Sequence, residues 1–111
     1  MEKELPHSLE AEKSLLSCFL LSPDSFAKAI EESLKENDFY SPINRQIFIA
    51  IFKLYESHRP IDIVTLTQVL RDYNQLEAIG GPIALSDILN QEFSAAHASH
   101  YTKIITNKIE I

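Results

Sequence analysis

Apolar residues recur along this chain at helical spacing, and short polar breaks separate the runs. In the first run Leu9, Glu12, Leu16, Phe19 and Leu20 fall on one side, with Leu15 alongside. Ser8 is the expected cap, because its hydroxyl can accept from free backbone N–H groups. Glu10 and Glu12 suit the positive end of the helix dipole. Ser22 and Pro23 open a second helix, since proline fits the first helical position, where no N–H is needed. Phe26, Ala29, Ile30 and Leu34 follow at the same period, and Asn37-Asp38 ends the run. Ser41 and Pro42 repeat that opening for a third helix. There Ile43, Ile47, Phe48, Ile51, Phe52 and Tyr55 form a broad stripe over roughly four turns. Ile49 and Leu54 lie partly off it, so this helix is expected either to lie centrally in the core or to meet a second partner.

"ESHRP" breaks the chain before Pro60, and Asp62 is the expected cap of a fourth helix bearing Ile63, Leu66, Val69, Leu70 and Tyr73. Val64, Thr65 and Thr67 argue mildly for a strand, because β-branched side chains lose rotamer freedom in helices. The period and length favour the helix. "AIGGP" (Ala78 to Pro82) reads as a turn that spends both glycines of the chain on backbone geometry closed to other residues. A fifth helix is expected over 82–89. A sixth is expected to start near Ser94, with Ala98, Tyr101, Ile104, Ile105 and Ile109 along one face. No Gly, Asn or Pro closes this last helix before Ile111, so the chain is expected to be a fragment of a longer protein. The fold class is all-α, a compact orthogonal bundle of about six helices forming one domain over residues 1–111.

Composition narrows the function. A chain of 111 residues with 45% apolar content can build a core without staples. The one cysteine, Cys18, cannot form an internal disulfide and fits a reducing compartment. The acidic N-terminus is neither a signal nor a transit peptide, and no apolar run is long enough for a membrane span. A cytoplasmic location is expected. Ten basic against sixteen acidic residues give a net charge of −6. Lys28, Lys35, Arg45, Lys53, Arg59, Arg71, Lys103 and Lys108 are scattered, where a phosphate-gripping domain should show a basic stripe.

Candidate chemistry is sparse. Two adjacent glycines satisfy neither G-x-x-x-x-G-K-(S/T) nor G-x-G-x-x-G, so no nucleotide loop is present. His97 and His100 stand three apart on a helix, a spacing that can hold a metal. A third ligand is missing, and surface histidines explain the pair more simply. Cys18 sits beside Phe19 on an apolar helix, which favours an inert buried thiol over a nucleophile. Glu31, Glu32, Asp72 and Glu77 read as solvated. Arg45 can cover the apolar stripe with its stem, pair with Asp38 or Asp62, or read a partner. The unexplained feature is surplus apolar surface on the third and sixth helices. Such surface usually belongs to a neighbouring domain, subunit or partner.

Five blocks then resemble one family. "PHSLEAEKSLL" (Pro6 to Leu16) resembles the P-x-S-x-E-A-E-x-S-(V/L)-L opening of the N-terminal domain of DnaB-type replicative DNA helicases. "DFYSPINRQIF" (Asp38 to Phe48) resembles its D-F-Y segment followed by R-x-I-F. "RPIDIVTLTQVL" resembles its P-(I/V)-D-x-x-T-L block. Gly80-Gly81 with Leu85, and then "SAAHASHYTKI", resemble its closing blocks. The blocks are in order and in register. Ser17 and Cys18 stand where many members carry glycine, Asn44 where His is common, His97 where Asn is common, and Ala84 in place of a frequent aromatic.

The resemblance implies a helical bundle followed, in the family, by a helical hairpin and a RecA-like ATPase motor that this chain lacks. ATP and Mg are implied for that motor and no cofactor for these residues. The implied role is non-catalytic: pairing with neighbouring copies as a collar on a hexameric ring, and docking of the primase C-terminal domain. A helicase loader is a further implied partner, DNA is contacted mainly by the motor, and the setting is a bacterial replication fork on the nucleoid. The alternative is a nucleic-acid-binding accessory module, which would need Arg45, Arg59, Lys53 or Lys103 to converge. The expected contact residues are Tyr101, Ile104, Ile105, Lys108 and Ile109 on the sixth helix, with Ile49, Lys53 and Arg45 on the third.

Overall fold

Periodic apolar positions need a shared interior, and the chain supplies one by packing four helices along the first and one more on the third. The computed structural model describes residues 6–90 and 97–107. Its elements are α1 (Pro6–Leu21), α2 (Pro23–Glu31), a short 3-10 turn (Glu36–Asp38), α3 (Pro42–Glu56), α4 (Ile63–Asp72), α5 (Gly81–Leu89) and α6 (Ala98–Asn107). The fold class is therefore all-α, as the apolar spacing predicts, with no strand among the described residues.

The central helix is α1. It packs along α6, α5, α2 and α3, while α3 also carries α4. Residues 15–19 of α1 are all buried, which requires neighbours on every side. Of the two places expected for α3, central in the core or against a second partner, α1 takes the first. The α3 core face is Ile47, Phe48, Ala50, Ile51 and Leu54, while Ile43 and Tyr55 are exposed. Leu54, read as off the stripe, is fully buried. α4 packs on α3, so more of this helix is covered than the period alone selects.

Aromatic rings join the first three helices. Phe19 meets Phe26 edge-on at 5.0 Å, and Phe48 lies 5.6 Å from Phe26 and 5.1 Å from Phe39. Each such pair adds about 0.5–1.5 kcal/mol beyond the area it buries. The Ser17 hydroxyl donates to the Ile88 carbonyl at 3.0 Å, tying α1 to the end of α5.

Helix ends show where cap chemistry is used. The Ser41 hydroxyl accepts from the Asn44 N–H at 3.2 Å. Asp62 and Thr65 form a reciprocal box, with Thr65 N–H to the carboxylate at 2.8 Å and Asp62 N–H to the Thr65 hydroxyl at 3.1 Å. Two expected caps differ. α1 begins at Pro6, so Ser8 lies inside the helix; proline takes the first position, as it also does in α2. Ser22 holds the N-cap position of α2 without a side-chain cap bond. Instead, the Ser25 hydroxyl donates to the Ser22 carbonyl at 2.7 Å. Ser94 lies outside the described residues.

The α2, α3 and α4 helices close alike, with a left-handed residue (Ser33, His58, Asn74) just past the end. The next N–H reaches back into each helix: Leu34 to Ala29, Arg59 to Leu54, Gln75 to Leu70. Gly80, at φ 109°, and Gly81, at φ 82°, make the entry to α5, as the glycine pair predicts.

Candidate interaction surfaces

The least expected residue is Glu12. It points inward from α1 and is 2% exposed. Its carboxylate accepts from the Tyr40 N–H at 2.6 Å, the Ser41 N–H at 3.3 Å and the Asn44 Nδ2 at 2.9 Å. These donors surround the start of α3, where the helix dipole favours a negative charge. A buried carboxylate needs such donors, because a buried charge without partners is far more costly than a buried hydroxyl or amide. Asn44 is accordingly buried too. The sequence signal was present, since Glu12 is the one acid within the apolar stripe of Leu9, Leu16 and Phe19.

This network fixes the head of α3 against α1, which also packs along α5 and so brings the two near each other. Between them lies a depression of about 430 Å³, with Leu9, Tyr40, Ile43, Ile79, Ala84 and Ile88 in its wall. Tyr40 is 57% exposed and Ile43 39%, and neighbouring Ile83 on α5 is 78% exposed. Lys13 and Asp87 supply charge at the same depression. The arrangement is an apolar patch with a polar rim, the make-up of a contact surface rather than of a reaction centre.

A second hollow lies between α3 and α4. Ile49 and Lys53 line it with Val69, Leu70, Tyr73 and Gln75. The Lys53 ammonium sits 4.7 Å from the centre of the Tyr73 ring, so its charge is already spent in part on this ring. Arg45 is half-buried, and one guanidinium nitrogen donates to the Phe39 carbonyl at 2.9 Å. Its placement holds the turn before α3.

On α6, Tyr101 and Ile104 pack partly against the core; His97, just before the helix, and His100 within it have ring centroids 6.4 and 5.9 Å from that of Tyr101. Ile105 is buried, so it contributes to the core and not to a contact surface; α6 turns this position toward α1. Lys108 and Ile109 lie outside the described residues. The structure thus brings Ile49 and Lys53 together, but separates them from the α6 group.

Among the described residues no three His, Cys, Asp or Glu side chains gather as a metal site. Cys18 is buried, and that burial pushes its thiol up to about 11, opposite to the change that would activate a nucleophile. No helix among the described residues is long and apolar enough to cross a membrane.

The geometry can be set beside known proteins. The family model described as DnaB-like helicase N terminal domain matches residues 4–107. The chain is 34% identical over 104 residues to a replicative DNA helicase DnaB of Rhodothermus marinus, covering 94% of this chain and 11% of that protein. It is 35% identical over 107 residues to the replicative DNA helicase DnaB of Geobacillus stearothermophilus, covering 96% and 23%. The chain therefore spans less than a quarter of these relatives' length. A crystal structure of the N-terminal domain of DnaB helicase from Mycobacterium tuberculosis superposes with a TM-score of 0.82 at 36% identity, covering 88% of this chain and 69% of that one.

Proposed function

We propose that this chain, which belongs to the DnaB-like helicase N-terminal domain family, serves a replicative helicase as a non-catalytic assembly and docking domain. It self-associates within the hexameric ring and receives the C-terminal domain of primase. The observation that carries this reading is the apolar surface at the head of α3, where Tyr40 and Ile43 stand exposed around a depression walled by Ile79 and Ile88. A monomeric domain gains nothing by keeping such a group in water, whereas a partner that covers it gains about 25 cal/mol per Å² of apolar area. Tyr101 and Ile104 on α6, and Ile49 and Lys53 on α3, extend the proposed contact area; Lys108 and Ile109 continue the α6 sequence.

ATP-driven strand separation belongs, in this reading, to a motor domain elsewhere in the full helicase polypeptide. The residues present do not fit a glycine-rich phosphate loop, because both glycines are used in the turn into α5 and Pro82, not a lysine, follows them. Action at a bacterial replication fork, with a loader as a further partner, follows from the same proposal.

Sedimentation equilibrium tests it. The chain alone is expected to associate with rising concentration, and to bind the isolated primase C-terminal domain. Ile43→Asp should weaken at least one of these contacts while leaving helical content unchanged. A strict monomer that ignores primase would overturn the reading. Salt-sensitive binding to single-stranded DNA would instead favour the nucleic-acid module.

A further inference from the structure

A small cavity between α2 and α6 carries two oxygen atoms that the protein itself does not satisfy. Ser25, Lys28, Glu32, Ser99 and Thr102 line it, and its volume is about 160 Å³. The Ser99 hydroxyl donates to Glu32 Oε2 at 3.0 Å. The other carboxylate oxygen, Oε1, is buried with no hydrogen-bond partner, and so is the hydroxyl of Thr102, a residue 1% exposed. Neither oxygen is in an easy position. Glu32 follows directly on the last residue of α2, where the helix dipole is negative and a carboxylate is disfavoured. Thr102 stands inside α6. An unmatched buried polar group costs about 1–3 kcal/mol, so two of them in one cavity call for a shared partner.

We propose that this cavity is a structural hydration site, in which ordered water joins Glu32 Oε1 and Thr102 Oγ1 and so fastens α6 to α2. Space allows it, since one water needs only roughly 10–15 Å³ of such volume. The chemistry selects it. The carboxylate oxygen only accepts, and the hydroxyl both donates and accepts, so the occupant must be able to do both. A metal cation cannot donate, would find a single carboxylate here, and would meet the Lys28 ammonium at the same cavity. The Ser25 hydroxyl donates to the Ser22 carbonyl and leaves its lone pairs available to the same solvent.

The test uses the 111-residue chain, two substitutions and a crystal structure at a resolution that shows solvent. Thr102→Val keeps the shape and removes the hydroxyl; Thr102→Ser keeps the hydroxyl and removes the methyl. With the hydration site, water density contacts both oxygens, and Thr102→Val lowers the folding constant by about tenfold. Under the same proposal, Thr102→Ser retains that water in its own crystal structure even where lost packing lowers its stability. The proposal is overturned if Thr102→Val is as stable as the parent or more so, because a dry, unmatched hydroxyl is better replaced by a methyl. It is also overturned if the density shows no solvent, or if stability rises with potassium or ammonium at constant ionic strength, which would make the occupant a cation.

Discussion

Replacing Glu12 by Gln preserves the size of a buried side chain and removes its charge. Three N–H groups lose a carboxylate: those of Tyr40, Ser41 and Asn44. A glutamine can turn its oxygen to Tyr40, and Asn44 can flip to present its own oxygen to the new amide. Only the long Ser41 contact is then left facing a donor. The remaining bonds change from charge-assisted to neutral, a drop of roughly 1 kcal/mol each. With roughly 1 kcal/mol more for the unmatched Ser41 N–H, Glu12→Gln should therefore cost about 3 kcal/mol. Glu12→Ala leaves all three donors unmatched and adds a void, which should cost about 4 kcal/mol, a large part of the 5–15 kcal/mol that typically holds a domain.

Urea unfolding followed by helical circular dichroism measures both, given a two-state transition. The pair with Asn44 gives a sharper check. Asn44→Ala alone should cost about 1 kcal/mol, but nearly nothing once Glu12 is Ala, because its partner has gone. Losses below about 0.5 kcal/mol for both Glu12 variants, or strict additivity with Asn44→Ala, would refute the claim that this carboxylate sets the head of α3.

The other outcomes are simpler. Thiol reagents should leave Cys18 untouched in the native chain and react fully in denaturant, because burial holds the thiol protonated; rapid native labelling counts against this. The Thr65 N–H holds the Asp62 carboxyl below its usual range. A depressed folded-state value adds stability above the unfolded value and loses it as pH falls through the folded one, so the window lies at and below about pH 4. Asp62→Asn should therefore flatten acid destabilisation in that window, read by urea unfolding at each pH. Gly80→Ala should cost about 2 kcal/mol in the same assay, since φ is 109° and the added Cβ would lie 2.7 Å from the Ala84 Cβ.

Much of this fold was legible because helical period is a local property. Ser41 with Pro42, Asp62 with Thr65, and the Gly80-Gly81 pair each announce an element boundary through chemistry that acts within a few residues. What period cannot supply is the identity of the covering element. Leu54 and Ile105 are buried in the common core, while Ile43 and Ile63 continue an apolar stripe to where the fold leaves it exposed. Ser22 makes no side-chain cap because the Ser25 N–H, which its hydroxyl would accept from, donates to the Ser22 carbonyl at 2.8 Å instead.

Glu12 and Ile43 show the two ways in which a position can break the apolar rule. Glu12 is polar where the stripe asks for an apolar side chain, and the interior pays it back with three donors from the head of α3. Ile43 is apolar where the fold leaves it 39% exposed, at the edge of the depression beside α5. Both act at the same helix start: Ile43 stands in its first turn, and Glu12 reaches it from α1. A charge inside fixes that start rigidly against α1, and a rigid apolar surface can bind without first losing the freedom to move. The buried network and the exposed patch are in this sense one device, and loosening Glu12 should weaken partner binding as well as stability.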